Sequence, residues 1–270
     1  MTNLSTGELS FFRESLRNNC RLDGRELCDI RPFIIEHNAM LFPNALYGLT
    51  LNVPDSRNSI MIGINANIVL TKDTFLIDDY ITLSVVPSNQ RVIKESENTS
   101  VKTVVSEIED LLRKFILSRI DLTALSLHQN KLHWQIECTL FVVGQLQLND
   151  LDYLFKGLKT GLLNCRFPKV NINYNQWTEE FSYEVTGESQ LLLLNCKVPT
   201  VLIVGEIEGR VVLDMTREEL ETVDSYYIVA MDAEEGITDI EKLEGNAVTL
   251  NRLGSVVSIL MNMKQVLVAK

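Results

Sequence analysis

Three arginines near the N-terminus are the residues whose type and spacing most suggest a specific chemistry. Arg21 and Arg25 flank the turn Asp23-Gly24, and Arg31 follows six residues after Arg25. A guanidinium group presents a planar fork of N–H donors and binds carboxylates, phosphates and carbonyl groups. Because these arginines flank a glycine turn that leads into the fold, we expect them to fix the turn through carboxylate and carbonyl contacts rather than to bind a nucleic acid.

Other residue types show no pattern typical of a catalytic or metal centre. His37, His128 and His133 adjoin no serine or cysteine in the arrangement of a hydrolase triad. The sequence lacks Gly-x-Gly-x-x-Gly and Gly-x-x-x-x-Gly-Lys-Ser/Thr, which argues against a dinucleotide-binding or P-loop protein. The acidic groups at 78–79 and 232–235 do not have the spacing of an EF-hand and are explained by solvated loops. We therefore expect no metal ion and no cofactor.

The cysteines are widely spread, without a Cys-x-x-Cys pair or a histidine at ligand spacing. They are Cys20, Cys28, Cys138, Cys165 and Cys196. Free cysteine behaves as a small hydrophobe and is among the most buried residue types. We expect reduced and mostly buried thiols.

The composition is that of a packed globular protein. A chain of 270 residues that is 46% hydrophobic can form one large or two small domains. No apolar run approaches the roughly 20 residues that span a bilayer. The N-terminus lacks the basic start and continuous apolar segment of a secretory signal. We expect an intracellular protein that does not contact a membrane.

The formal net charge of −11 argues against a protein that holds nucleic acid by itself. Sequence-independent affinity comes from lysine and arginine side chains that replace the counterions of the phosphates. Comparatively basic stretches lie at 13–31 and 156–169. Any contact with nucleic acid is therefore expected to be local.

The apolar periodicity predicts an α+β protein. Ser5 and Glu8 form a capping-box pair, which predicts that the first helix begins near Thr6 and ends before Asn18. Further helices are expected from 99 or 100 to 116, at 150–164, and from 246 or 249 to about 267. Strands are expected at 31–38, 45–53, 60–70, 80–86, 131–143, 170–174, 191–195, 200–208, 210–214 and 226–232. The stretch 175–190 is interpreted as a polar connection.

The chain is expected to form two lobes, residues 1–174 and residues 175–270. The boundary lies near 175–197, where no long segment rich in proline, glycine or serine occurs. Because no such linker separates the lobes, we expect them to pack together as one body.

Several short motifs occur in one order along almost the whole chain. They are Asp23-Gly24-Arg25 with Arg31, a strand that opens on Trp134, Asn149 with Asp152, Arg166 with Pro168, and Asp214 with Thr216 and Glu219. In this order and spacing the chain resembles the RNase PH-like subunits of the RNA exosome ring. The resemblance is nearest to the non-catalytic subunits of the eukaryotic exosome. It implies an α+β protein with the RNase PH fold (ribosomal protein S5 domain 2-like) and two packed α/β lobes.

The departures from the family pattern indicate a subunit without catalytic residues. Active members use inorganic phosphate to cleave RNA, and they need a phosphate pocket together with an acidic group. The segment 143–148 that follows the Trp134 strand offers no charged partner for phosphate. The long helix carries Glu107, Glu109 and Asp110 where active relatives carry arginines, and these carboxylates would repel phosphate.

The resemblance also implies a function, partners and a location. Such a subunit supports 3′-to-5′ processing and degradation of RNA by forming a channel through which single-stranded RNA is threaded. Its partners would be other RNase PH-like ring subunits, S1/KH cap subunits and a processive exoribonuclease subunit, in the nucleus, nucleolus and cytoplasm. For contact with the RNA backbone we expect Arg57 in a hairpin loop, and Arg91 and Lys94 in the loop before the long helix. Plain solvated surface is the alternative for each.

Two other classes of function stay open at the level of sequence. The first is an active phosphate-dependent 3′-to-5′ exoribonuclease of the RNase PH type, alone or as half of a composite site. The second is a member of a related α+β superfamily, such as a small-molecule kinase or a translation factor domain. That second class should show a phosphate loop rich in glycine and serine, and none is present.

Overall fold

The computed structural model describes residues 4–37, 45–52, 58–71, 77–88, 95–128, 131–144, 150–175, 177, 180–193 and 196–269. The helices are α1 (Thr6–Arg17), α2 (Ile77–Tyr80), α3 (Glu95–Phe115), α4 (Leu151–Asn164), α5 (Arg217–Leu220) and α6 (Leu250–Ala269). Strands of the first half are β1 (Ile34–His37), β2 (Tyr47–Asn52), β3 (Ser59–Leu70), β4 (Ile81–Pro87), β5 (Ser126–His128) and β6 (Leu132–Val143). Strands of the second half are β7 (Phe167–Asn175), β8 (Glu180–Gln190), β9 (Thr200–Ile207), β10 (Arg210–Leu213), β11 (Ser225–Asp232) and β12 (Gly236–Gly245).

Helix α1 begins where its capping residues predict. The Ser5 side chain accepts a hydrogen bond from the Glu8 backbone N–H, and the Glu8 carboxylate accepts one from the Ser5 backbone N–H. This reciprocal pair satisfies two backbone donors that the first helical turn leaves open. The chain also turns tightly between β9 and β10, where Glu208 and Gly209 have φ values of 47° and 83°.

The chain divides into two compact units, and neither is continuous in sequence. The first unit contains Met1–Phe33, Leu146–Lys156 and Pro199–Lys270, and the second contains Ile34–Gln145 and Gly157–Val198. These units differ from the lobes expected at 1–174 and 175–270. The reason is that the N-terminal segment makes hydrogen bonds with Leu213 at the end of β10 and with Asp214 after it, so it groups with the C-terminal third of the chain.

The first unit is built on an antiparallel sheet in the order β10-β9-β11-β12. Helix α6 packs against this sheet through Val256, Leu260 and Leu267, which are buried in a common core with apolar residues of the strands. The strand β12 was not expected. Its residues are largely charged and partly exposed, so the sequence shows no apolar run there.

The second unit is built on a six-stranded sheet in the order β1-β2-β3-β6-β4, in which β5 also pairs with β6. The predicted hairpin is confirmed, since β2 and β3 pair without a register shift. Helix α4 lies close to β3 at Gly157 and Gly161. A Cβ atom at these positions would come within 2.6 Å of Ile62 Cδ1 and 2.9 Å of Ile64 Cδ1, so glycine permits this close approach.

The interpretation of 175–190 as a polar connection was wrong for most of that stretch. Residues 180–190 form β8, which pairs with β7 in a separate two-stranded sheet. The apolar residues Phe181, Tyr183 and Val185 alternate with polar ones, which is the period of a strand with one apolar face. The strand expected at 191–195 is not formed at 191–193, and residues 194 and 195 lie outside the described part of the chain.

No helix in the described ranges is both long enough and apolar enough to cross a membrane.

Candidate functional site

The three N-terminal arginines and two carboxylates from the second half of the chain meet in the first unit. The segment between α1 and β1 carries Arg21, Arg25 and Arg31, while Asp214 follows β10 and Glu219 lies in α5. We call these five residues together with Tyr153 of α4 the Asp214 cluster. Thr216 caps α5 and accepts a hydrogen bond from the Glu219 backbone N–H, which places Glu219 in the first turn, and Asp214 lies two residues before this cap.

Arg21 is a buried arginine whose donors are all directed at oxygen atoms. Its Nε donates to Glu219 Oε1 at 2.8 Å and its Nη2 donates to Glu219 Oε2 at 2.5 Å, which is a bidentate pair. The remaining donors reach the backbone carbonyl groups of Leu213 at 3.0 Å and Asp214 at 2.9 Å. The side chain is 0% exposed. Arg21 therefore ties the N-terminal turn to the end of β10.

Asp214 accepts hydrogen bonds from both of the other arginines. Arg25 Nη1 lies 2.9 Å from Asp214 Oδ2, and Arg31 Nη2 lies 2.6 Å from Asp214 Oδ1. The Arg31 backbone N–H also donates to Asp214 Oδ2 at 2.6 Å. Asp214 has a φ of 44°, a backbone conformation that few residues other than glycine, asparagine and aspartate adopt. The two ion pairs hold it there.

Tyr153 is the third side-chain partner of Asp214. Its hydroxyl group donates to Asp214 Oδ1 at 2.9 Å, and the Arg31 guanidinium carbon lies 5.8 Å from the centre of its ring. Burial and the neighbouring Asp214 charge raise the pKa of Tyr153 well above its ordinary value. Burial alone would lower the pKa of Arg31, but the hydrogen bonds and charge of Asp214 raise it. Both groups therefore keep their protons at any physiological pH.

Asp152, next to Tyr153 at the start of α4, joins the helix to a strand. Its carboxylate accepts a hydrogen bond from the backbone N–H of Ile203 in β9. Burial raises the pKa of Asp152 well above its ordinary value, and the charge of Asp214 adds to that shift. The hydrogen bond from Ile203 is the main effect in the opposite direction, and the charges of Lys156 and Arg31 lower the pKa to a smaller extent. The folded state therefore favours the neutral form of the Asp152 carboxyl group over the ionised form.

The charges around the three arginines balance. Asp23 Oδ2 lies 2.7 Å from Arg25, so Asp23, Asp214 and Glu219 supply three carboxylates to three guanidinium groups. Phosphate or RNA would have to displace these carboxylates, and a buried arginine that loses its partner is costly. The arrangement supports a structural clamp, which confirms the expected carboxylate and carbonyl contacts of Arg21, Arg25 and Arg31.

The sequence and the fold were compared with known proteins. A scan of family models gives no match, and a search of curated protein sequences gives none either. Solved structures do match. One, an archaeal exosome core, has a TM-score of 0.68 and 16% identity, and the match covers 96% of this chain and 94% of that one. Another, an Archaeoglobus fulgidus exosome with RNA bound to the active site, has a TM-score of 0.69 and 16% identity, with 96% of each chain covered. This chain has the RNase PH fold.

The RNA contacts expected on this RNase PH fold are Arg57, Arg91 and Lys94, and all three lie outside the described residues. The segment 145–149, which includes Asn149 and most of the loop after the Trp134 strand, also lies outside them. These expectations remain predictions. Of the acidic residues of α3, Glu109 accepts a hydrogen bond from the Val85 backbone N–H at 2.7 Å, so its carboxylate attaches the helix to β4.

The histidines of the RNase PH fold have structural partners. His133 is buried and hydrogen-bonds Thr71 Oγ1 at 2.9 Å and the Asp79 carbonyl at 3.2 Å. His37 hydrogen-bonds the Tyr47 hydroxyl group at 2.5 Å. Within the described ranges, no group of three or more histidine, cysteine, aspartate or glutamate residues has the arrangement of a metal site.

The cysteines are free, as expected, but the expectation that most are buried was wrong. Only Cys138 and Cys165 are buried, whereas Cys28 and Cys196 are partly exposed and Cys20 is exposed. Cys20 follows the end of α1, where the chain turns at the surface, and Cys138 lies on the buried face of β6. The position within each element decides burial here, and the residue type does not.

Sequence reasoning named the arginines but not the residues they bind. Arg31 and Asp214 are 183 positions apart, and no local pattern links residues at that separation. The segment that supplies the two carboxylates was noticed as a motif, with Asp214, Thr216 and Glu219, but nothing in the sequence linked it to the arginines. Tyr153 carried no signal, because an aromatic residue in an amphipathic helix is most simply a core residue.

Proposed function

We propose that this chain is a catalytically silent subunit of an exosome-type ring of RNase PH-like subunits, in which it helps to form the channel for single-stranded RNA. The observation that carries the proposal is the fold itself. Two exosome chains superpose on 96% of this chain with TM-scores of 0.68 and 0.69. The matches cover at least 94% of the exosome chains as well.

The proposed lack of catalysis rests on the use of charge in this chain. The three arginines of the Asp214 cluster are neutralised by carboxylates. The segment 143–148 contains no charged residue, and α3 presents Glu107 and Asp110 as exposed acidic residues. A phosphate pocket requires preorganised positive groups directed at the site where negative charge develops. The chain would then act by positioning neighbouring subunits and RNA.

The partners follow from the proposed role. Other RNase PH-like subunits would complete the ring, S1/KH cap subunits would guide RNA into it, and a processive exoribonuclease subunit would degrade the RNA. The overall charge of −11 restricts contact with RNA to local cations, for which Arg57, Arg91 and Lys94 remain the candidates. Such an assembly would act in the nucleus, nucleolus and cytoplasm.

The catalytic proposal is tested by phosphorolysis. The full chain, alone and in the assembly that copurifies with it, is incubated with labelled single-stranded RNA in the presence and absence of inorganic phosphate. We expect the isolated chain to release no nucleoside diphosphate, and we expect any RNA decay in the assembly to be independent of phosphate. An active archaeal exosome core serves as the positive control.

Phosphate-dependent release of nucleoside diphosphates by the isolated chain would establish the alternative, an active exoribonuclease of the RNase PH type. Release only by the assembly would identify a composite site. Arg57→Ala, Arg91→Ala and Lys94→Ala then test RNA contact by crosslinking in the assembly. Arg119→Ala, which removes an exposed cation elsewhere, is the matched control.

A further inference from the structure

The two-stranded sheet formed by β7 and β8, which we call the ribbon, is unusual in its lack of neighbours. Within the part of the chain that the structure describes, no third strand pairs with either of them. Strand β8 spans 11 residues, and among the described strands only β7 pairs with it, on one of its two edges. A two-stranded ribbon is marginally stable on its own, and a long edge strand is a template for pairing with another chain.

The ribbon has one apolar face and one polar face. Cross-strand partners share a face, so the register assigns each residue to one side. The apolar face carries the pairs Val170 and Val185, Ile172 and Tyr183, and Tyr174 and Phe181. The polar face carries the pairs Asn171 and Glu184, Asn173 and Ser182, and Asn175 and Glu180.

The second unit covers only one end of the apolar face. Tyr174 and Phe181 stack with their ring centres 4.7 Å apart, and His128 lies 5.5 Å from Phe181. The Lys131 ammonium group lies 5.0 Å from the centre of the Tyr174 ring. At the other end Tyr183 is 50% exposed and Val185 is 59% exposed. The face therefore continues as apolar surface beyond its covered end.

Trp177, just after β7, is 97% exposed. Its backbone N–H donates to the Asn175 side chain at 3.0 Å, which holds the backbone in a turn and leaves the ring outside. An open cleft of about 450 Å³ lies beside it and is also lined by Asn173, Tyr174 and Ser182. Tryptophan and tyrosine are enriched in protein interfaces, where a few such residues carry most of the binding energy.

The charge of the ribbon selects the class of partner. Glu180, Glu184 and Glu188 are exposed along β8, and Lys169 is already paired with Glu188 at 2.6 Å. RNA would be repelled by this row of carboxylates. A second copy of this chain would bring a net charge of −11 and the same acidic strand, so it is a poor complement as well.

We propose that the ribbon docks a basic segment of another protein, which adds as a strand to the free edge of β8. Alternate apolar side chains of that segment would continue the apolar face over Tyr183 and Val185. The lysine or arginine residues between them would lie beside Glu180 and Glu184 on the polar face, since successive side chains of a strand point to opposite faces. The proposal goes beyond the proposed function, because it holds for any protein partner of this chemistry.

The test is amide hydrogen exchange over 180–190, measured on the full chain alone and in the assembly that copurifies with it. We expect exchange of alternate amides of β8 to slow by about tenfold or more in the assembly. Unchanged exchange in the assembly, or a chain that purifies without any protein partner, overturns the proposal. Protection of the isolated chain by concentration alone would identify a second copy. Protection by a uridine oligonucleotide would identify RNA. Either of these outcomes also overturns the proposal.

Matched variants give the test its specificity. Tyr183→Ser combined with Val185→Ser should lower retention of the partner by about tenfold or more, because an apolar anchor at an interface contributes one or more factors of ten. Glu184→Lys should lower it through charge reversal, whereas Asn171→Ser on the polar face of β7 should not. Melting of the isolated variants controls for folding. Ring composition is scored separately by mass, so a ring without protection of β8 would refute the docking proposal and leave the proposed function intact.

Discussion

The Asp214 cluster buries charged side chains, whereas the ribbon exposes apolar ones. Both regions depart from the usual distribution, in which charged residues are exposed and apolar residues are buried. In the cluster, Arg21 and Asp214 are charged and buried, and each makes several hydrogen bonds within the chain. In the ribbon, Tyr183 and Val185 are largely exposed, and so is Trp177 in the turn between its two strands. The buried charges of the cluster are paired within the chain, so they need no partner from another molecule. Exposed apolar surface on an isolated pair of strands indicates a partner in another molecule.

The largest effect is expected from removing the shared carboxylate of the cluster. Asp214→Ala leaves Arg25 and Arg31 without their common partner and removes the acceptor of Tyr153. Breaking a buried ion pair on one side costs about 3–5 kcal/mol in the free energy of unfolding. Urea unfolding of the full chain measures this loss.

The ribbon supplies the control for that variant. Glu188→Ala removes an ion pair between two exposed side chains, and it should leave the unfolding midpoint unchanged. Equal losses for Asp214→Ala and Glu188→Ala would show that the cluster is not the clamp described above.

A smaller loss is expected for Tyr153→Phe, which removes only a hydroxyl group from the cluster. The lost hydrogen bond has a charged acceptor, so the free energy of unfolding should fall by about 1.5–3 kcal/mol. The same urea series measures it. In the background of Asp214→Ala the change should have little further effect, because the acceptor is gone. Additive losses in the double variant would contradict the contact.

The pH dependence of Asp152→Asn tests the raised pKa of Asp152. The pKa is raised in the folded state, so the neutral form stabilises the fold below the unfolded value near 3.8, and this contribution is lost as pH rises through the folded pKa. Asparagine stays neutral and keeps an oxygen for the Ile203 backbone N–H. The variant should therefore gain stability relative to the natural chain over the range in which pH rises above the unfolded value near 3.8. A difference that is constant or shrinks over this range would contradict the assignment.

The smallest effect is expected at the exposed end of the ribbon. Tyr174→Ser removes contacts with Phe181, His128 and Lys131 and should cost about 1 kcal/mol. Tyr183→Ser on the same face should cost less than about 0.5 kcal/mol in the isolated chain. Thermal melting of the two variants compares them. A larger loss for Tyr183→Ser would show that this end of the face is already covered within the chain.

The fold was largely predictable from local patterns, but its long-range contacts were not. The capping pair of Ser5 and Glu8 predicted the start of α1, and the apolar periodicity predicted a strand at 60–70, which is most of β3. Strand β8 was missed although Phe181, Tyr183 and Val185 alternate with polar residues. The many polar residues of this stretch led to its interpretation as a connection. The arginines were correctly assigned to structural contacts, whereas the partner Asp214 became evident only in the folded chain. Residues as far apart along the chain as Arg31 and Asp214 cannot be recognised as neighbours from their positions in the sequence.

Membership of a ring is tested most directly by native mass spectrometry of the assembly purified through a tag on this chain. We predict a heteromeric ring that contains this chain together with several related RNase PH-like subunits, and that persists when the RNA is removed. A monomer, or an assembly made of this chain alone, would contradict the proposed function.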